Sequence, residues 1–275
     1  MTGSVITMDI DHVGVAGRDI DVLLKAYEAL GFKLTHPEPL IGIDKDGKAV
    51  PMGQVSAHFM FRDRYVELTA VTGEKADNHL EPWLALYDGL LILALAAQDA
   101  DSVRATLIRD NLNPGPIQIA GREVCYGRGG SARFAWFGFP PGTFPEAFVC
   151  IIEQRTPEIV FQTEMTDHPN GAVDLVGVYM VSKNPAAAAE RYRPFEALDA
   201  HRFLDVMGLG EAQERFPGVA LSAEDNYLLG IKVRVKGLRA LREILEQASV
   251  PYMADGKLIR IAPEHAGGAM IIFSE

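Results

Sequence analysis

A strand-then-helix unit that occurs four times is the feature that most constrains this chain. The first copy runs Asp9-Ile10-Asp11-His12-Val13-Gly14-Val15-Ala16. It is followed by Ile20, Leu23, Leu24, Tyr27 and Leu30 at helical spacing, with Asp19 as the predicted N-cap and Gly31 as the stop. The second copy is Leu90–Leu95, then a helix capped by Asp99 with Ala100, Val103 and Leu107 on one face. The third is Val173–Tyr179, then Asn184-Pro185, a strong start signal before an alanine-rich helix. The fourth is Leu228–Val233, then a helix carrying Leu238, Leu241 and Leu245.

Strand-like segments follow each helix. They are Lys33–Thr35, Val55–Phe61 and Tyr65–Val71 after the first, and Pro116–Ile119, Ala132–Phe139 and Ala147–Glu153 after the second. Ala200–Phe216 reads as partly helical, and Leu258–Ile261 and Ala269–Phe273 close the fourth copy. The unit is therefore βαβββ, and the fold class is α+β, with four tandem modules in two pairs. One sheet with a single helix cannot cover both its faces, whereas two modules side by side can curve around a shared cleft. The expected domains are 1–160 and 170–275, joined by a Pro-containing segment with a His-Pro-Asn-Gly turn.

Composition narrows the partners. A formal net charge of −11 with no basic run disfavours a phosphate backbone, so nucleic acid is not expected. The longest apolar stretch, Leu90–Ala97, is too short to span a bilayer. Two cysteines, Cys125 and Cys150, are too few for a disulfide framework, and Cys150 reads as a core residue. Met1–Val5 shows no basic region leading into an apolar one, so the expected location is the cytoplasm.

Strand alternation then sorts the polar residues. His12 shares a face with Ile10 and Gly14, opposite Val13 and Val15. Glu67 shares a face with Tyr65 and Thr69, and His58 with Ser56 and Met60. Only Arg62-Asp63-Arg64 separates the strands of His58 and Glu67, so these should pair and let His12, His58 and Glu67 converge. Met60, Tyr65, Phe134, Trp136 and Tyr179 are candidates to line an apolar pocket, Arg133 to meet an anionic group, and His168 to reach a pocket edge. The glycine-rich turn around Arg128 lacks the Lys-Ser/Thr of a phosphate loop.

Asp11-His12-Val13-Gly14-Val15, Ala29-Leu30-Gly31-Phe32 and Tyr65-Val66-Glu67-Leu68 resemble the glyoxalase-like branch of the vicinal oxygen chelate superfamily. Arg155-Thr156-Pro157-Glu158 and His168-Pro169-Asn170-Gly171-Ala172 resemble the linker of its two-domain members, so the likeness covers nearly the whole chain. The resemblance implies metal ligands on first and last strands, which here are His12 and Glu67, with His58 as a third donor. Two imidazoles and a carboxylate suit Fe(II), Mn(II), Zn(II) or Ni(II). Glu153 is expected to hold in the second module the position Glu67 holds in the first, whereas Ile92 stands where a second histidine would be. The third and fourth modules offer only Leu175, Gly230 and Phe273 at ligand positions, against the usual ring-cleaving dioxygenase layout.

Three function classes follow. One is a metal-dependent lyase or isomerase that chelates a small oxygenated molecule and stabilises an enolate, with Glu67 or Glu153 moving a proton. Another is a non-heme iron dioxygenase using His12, His58 and Glu67. The last is a metal-free small-molecule binding protein. A homodimer through sheet edges is compatible with all three.

Overall fold

The computed structural model describes residues 9–44, 46–73, 78–140, 142–195 and 203–275. Its first half is a closed eight-stranded barrel. The strands are β1 (Ile10–Gly17), β2 (Glu38–Ile43), β3 (Ala49–Met60), β4 (Tyr65–Val71), β5 (Gly89–Ala96), β6 (Gln118–Val124), β7 (Gly130–Gly138) and β8 (Phe148–Gln154). Their order around the barrel is β1-β4-β3-β2-β6-β7-β8-β5. Each module contributes one parallel pair, β1 with β4 and β5 with β8, as a crossover through a helix requires. Those helices are α1 (Ile20–Ala29) and α3 (Ala100–Arg109); between them lies the single turn α2 (Glu81–Leu84). Asp19 caps α1 by accepting from the Asp21 and Val22 amides, and Gly31, at φ 77°, provides the left-handed exit that ends it.

The barrel closes where β2 meets β6, pairing Ile41 with Gly121 and Ile43 with Ile119. Two of the expected strands are displaced here. Lys33–Thr35 precedes β2 and Pro116–Ile119 only overlaps the start of β6, because each ladder forms beyond a proline, Pro37 or Pro116, that cannot donate to it. Gly121 is needed at this seam, since a Cβ there would lie 2.5 Å from the Ala132 carbonyl oxygen.

The second half is a six-stranded sheet of β9 (Ala172–Ser182), β10 (Leu204–Met207), β11 (Asn226–Val235), β12 (Met253–Asp255), β13 (Leu258–Ile261) and β14 (Met270–Ser274). Its order is β10-β9-β11-β14-β13-β12. The single turn α4 (Pro157–Val160) follows β8, and helix α5 (Pro185–Tyr192) is capped by the Asn184 side chain. Among the described residues the third module has one strand after α5, and helix α6 (Leu209–Arg215) stands where further strands would be, in line with the helical reading of Ala200–Phe216; residues 200–202 of that segment lie outside the described set. The fourth module is complete around α7 (Leu238–Gln247).

The two sheets share one core. Val13, Val15, Leu68 and Leu93 on the outer barrel face belong to the same cluster as Ile231, Ile271 and Phe273 of the second sheet. Tyr27 of α1 donates to the Ala266 carbonyl, and Phe32 stacks on Phe273 with centroids 5.8 Å apart. With the outer face spent on this contact, the alternate residues of β1, β3, β4, β6, β7 and β8 point into the barrel. There they build a cavity.

Candidate functional site

The barrel holds a narrow cavity of about 60 Å³ that opens to solvent, and its wall has two unlike halves. The first module supplies His12, Gln54, Ser56, His58, Tyr65 and Glu67. The second supplies Ile92, Phe134, Trp136, Phe148, Cys150 and Ile152, with Arg122 as its one charged group.

Local backbone irregularity sets the polar half. The β1–β5 register slips between Ile10 and His12, so a bulge at Asp11 interrupts strict alternation. Asp11 and His12 can therefore bond to each other, Oδ1 to Nδ1 at 2.7 Å, while Val13 and Val15 stay in the outer core. Asp11 is held in turn by Gln154 Nε2, 3.1 and 3.2 Å from its two oxygens. An ionised Asp11 only accepts, which places a proton on Nδ1 of His12 and leaves Nε2 free as the acceptor. Nε2 faces Glu67 Oε2 at 3.6 Å, too far for a direct hydrogen bond. The other Glu67 oxygen accepts from Ser56 Oγ at 2.5 Å. Ser56 Oγ also lies 2.9 Å from the Thr69 hydroxyl, which joins the same polar chain. Gly14 makes room for this arrangement: a Cβ there would sit 2.5 Å from Ile92 Cδ1.

The Tyr65 ring is the shared platform. His12 stacks on it at 4.5 Å and His58 meets it edge-on at 5.1 Å. Burial, reinforced by Arg122 and His12, pushes the His58 pKa well below its usual value, so His58 is neutral at physiological pH. Its Nδ1 lies 3.4 Å from Thr35 Oγ1, and its amide donates to the same hydroxyl. Burial first and Asp11 second raise the Tyr65 pKa far above normal, so the phenol keeps its proton.

The predicted site residues fall into two groups. His12, His58, Tyr65, Glu67, Phe134 and Trp136 all line the cavity. Met60 is inside the barrel but packs with Val124, Ala132 and Met165 beyond the lining. Arg133 is exposed on the outer face of β7, and its amide is tied to Thr156 Oγ1. His168 lies outside the barrel, bridging the Lys33 amide and the Met60 carbonyl at 3.1 and 2.9 Å, so it fixes the linker to β3 instead of meeting a ligand. Glu153 shares the outer face with Val149 and Ile151 and accepts from the Ala100 amide at the start of α3. The register explains the shift. His12 and Gly14 lie beside Tyr65 and Glu67; Ile92 and Ala94 lie beside Phe148 and Cys150. If Ile92 corresponds to His12, the counterpart of Glu67 is Cys150, three residues before Glu153.

These placements bear on the expected metal. Among the described residues, no three of His, Cys, Asp and Glu come together as a group that could hold one. His58 is turned to Thr35, and the second-module counterparts of His12 and Glu67 are Ile92 and Cys150, the latter with its thiol pKa raised by burial. The pair His12–Glu67 supplies two of the three or four protein donors that a resident transition metal needs. As placed in this structure, the side chains fall short of the donor set expected for a resident metal.

A family model described as a glyoxalase-like domain matches residues 10–195. The chain belongs to that family. Solved structures agree on the fold. A hypothetical protein from Staphylococcus aureus is 9% identical, covers 97% of this chain and 99% of its own, and superposes with a TM-score of 0.64. A variant of 4-hydroxymandelate synthase from Streptomyces coelicolor is 11% identical over 98% of this chain and 93% of its own, with a TM-score of 0.51. A xylose isomerase-like TIM barrel/4-hydroxyphenylpyruvate dioxygenase fusion protein is 12% identical over 97% of this chain, which spans 48% of that protein, at a TM-score of 0.51. These likenesses show that the glyoxalase-like chain shares its fold with those proteins. No functionally curated protein matches the sequence. Among the described residues no helix is long and apolar enough to cross a membrane.

Two buried histidines make stability depend on pH. Burial lowers the pKa of both His58 and His168 below the unfolded value of 6.5. Above that value both are neutral folded and unfolded, and their contribution is complete. As pH falls through 6.5 the unfolded chain binds protons that the folded chain refuses, and stability is lost. Each histidine should remove up to about 1.4 kcal/mol per pH unit. Urea unfolding at pH 7.5 and 5.5 should show the loss, and His58→Gln should flatten it; an equal slope in that variant would contradict the assignment.

Proposed function

We infer that the barrel binds a small carbonyl compound and moves a proton on it, with His12 as the base. The observation that carries this reading is the Asp11–His12 pair beside Glu67. It provides an oriented imidazole whose free nitrogen faces a carboxylate across a gap that one ligand atom can bridge. Asp11 fixes the tautomer and stabilises the imidazolium when His12 takes a proton. Glu67, 3.6 Å from His12 Nε2 and so on the same side of the ligand, can take that proton from the imidazolium and return it to a neighbouring position, which gives isomerisation; loss of a leaving group instead gives lyase chemistry. The neutral Tyr65 phenol and the Arg122 guanidinium are the groups suited to an enolate oxygen.

The test is hydrogen exchange. Ketones, 2-oxo acids and thioesters with an acidic α-hydrogen are incubated with chelator-treated protein in D2O and followed by proton NMR. The wild-type protein should wash out α-hydrogens of the accepted compound faster than His12→Asn. Exchange that survives His12→Asn, or none with any compound, would sink the reading. The metal-dependent alternative draws on the same His12–Glu67 pair, 3.6 Å apart. It predicts that exchange vanishes on chelation and returns with Mn(II), Fe(II), Zn(II) or Ni(II).

A further inference from the structure

Arg122 is the permanent cation of the cavity wall. It sits on β6 with its side chain inside the barrel, opposite Ala132 on β7, and is 7% exposed. Its Nη2 is completely buried and has no hydrogen-bond partner. Among the described residues no carboxylate lies within ion-pair distance of it. A guanidinium is a fork of five donors with no acceptor and no neutral form at accessible pH, so leaving it buried and unpaired costs stability unless an acceptor comes from outside the chain. Two other buried or half-buried arginines are held by carboxylates: Arg64 meets Asp9 at 3.1 Å, and Arg191 meets Glu146 at 2.6 Å. Arg122 has no such carboxylate and lines the cavity.

The rest of the wall restricts what the acceptor can be. Arg122 is the one permanent cation among the lining residues, whereas Glu38 and Glu67 are both present. With both carboxylates elsewhere on the wall, the single positive charge can match one negative charge, which suits a monoanion and disfavours a phosphate dianion that would need a second cation. Beyond Arg122 on the same side, Ala120 pairs with Phe134 and Gln118 with Trp136, and Trp136 packs against Phe148 at 5.8 Å. Inward residues along a strand are about 7 Å apart, so the aromatic patch begins one step from the guanidinium and extends a second step. That spacing matches a carboxylate carried on a planar apolar group.

Resting on the reading of the barrel as a small-molecule site, we propose that its ligands are aryl-substituted monocarboxylates, with the carboxylate on Arg122 and the ring against Phe134, Trp136 and Phe148. Isothermal titration calorimetry tests this with benzoate, phenylacetate and 3-phenylpropionate, each beside its primary amide, which has the same shape without the charge. The wild-type protein should bind the best acid at least tenfold more tightly than its amide. Arg122→Met should erase that difference while amide binding persists, and Arg122→Lys should restore part of it. Thermal melts of the variants establish that they fold, and the wild-type preference is a test by itself. Acids and amides that bind alike, a preference that survives Arg122→Met, or no binding of any pair would overturn the proposal. An Arg122-dependent preference without hydrogen exchange would leave it standing and remove the proton-transfer reading.

Discussion

Replacing His12 with asparagine is expected to slow α-hydrogen exchange by about 10²–10⁴-fold, the range a positioned general base contributes. The expectation follows from how His12 is held. Its Nδ1 is bonded to Asp11 at 2.7 Å, its ring is stacked on Tyr65, and its Nε2 is left pointing toward Glu67. Asparagine is small enough to fit and can still bond to Asp11, but it has no basic nitrogen. The effect should therefore fall on the turnover rate, with binding of the ligand's apolar part retained. Asp11→Asn should act in the same direction, because an amide at that position no longer dictates which imidazole nitrogen carries the proton. A His12→Asn protein that folds, binds, and exchanges within threefold of wild type would show that the base lies elsewhere.

Glu67 tests the other half of the pair. Under the proposed chemistry, Glu67→Gln blocks proton return while leaving abstraction possible, so exchange with solvent would fall less than net conversion. In a metal-dependent enzyme both would fall together, since the same carboxylate would be a ligand.

Much of this geometry was visible in the amino-acid order, and the failures have local causes. His12 and Glu67 were legible because each sits in a strand whose opposite face is wholly apolar: Val13 and Val15 in β1, Val66 and Leu68 in β4. His58 followed from the short turn that forces β3 onto β4, with His58 beside Glu67. Their meeting as a metal triad did not follow, because strand parity assigns a face and says nothing of what a side chain bonds to once there. His58 turned to Thr35, a residue outside any strand. Glu153 was misplaced by counting from the end of its strand; its parity agrees with Val149 and Ile151, which face the core. Asp11 was hidden by a bulge, since strict alternation sends residues 11 and 12 to opposite faces. Arg122 was hidden by a strand boundary. Pro116 and Gly121 break the apolar pattern of β6, yet alternation from Ala120 sends Arg122 inward and Glu123 outward. Arg133, by the same rule, faces away from Phe134.

A second large effect is expected far from the cavity, at Glu146. This carboxylate lies in the loop before β8 and is wholly buried. It accepts from Tyr192 Oη at 2.6 Å on one oxygen and from Arg191 Nη2 at 2.6 Å on the other. Both donors belong to α5, so the contact ties the barrel to the second sheet. Burial, with Glu146 as the next cause, holds the Tyr192 pKa far above normal, so the phenol remains a donor. Glu146→Ala strips a partner from a buried hydroxyl and a partly buried guanidinium together, and breaking a pair of this kind costs about 3–5 kcal/mol. The Arg191 side chain is 26% exposed and can recover some hydration, which puts the expectation at the lower end, about 3 kcal/mol. For a chain of this size that corresponds to a fall in melting temperature of roughly 6–12 °C. Glu146→Gln keeps an oxygen for Tyr192 but turns its NH2 group, a donor, toward Arg191, which can turn to solvent, so it should lose roughly half as much. Scanning calorimetry of the three proteins decides the matter: an alanine variant within 1 °C of wild type would mean that the two halves are held by their shared apolar core without help from this pair.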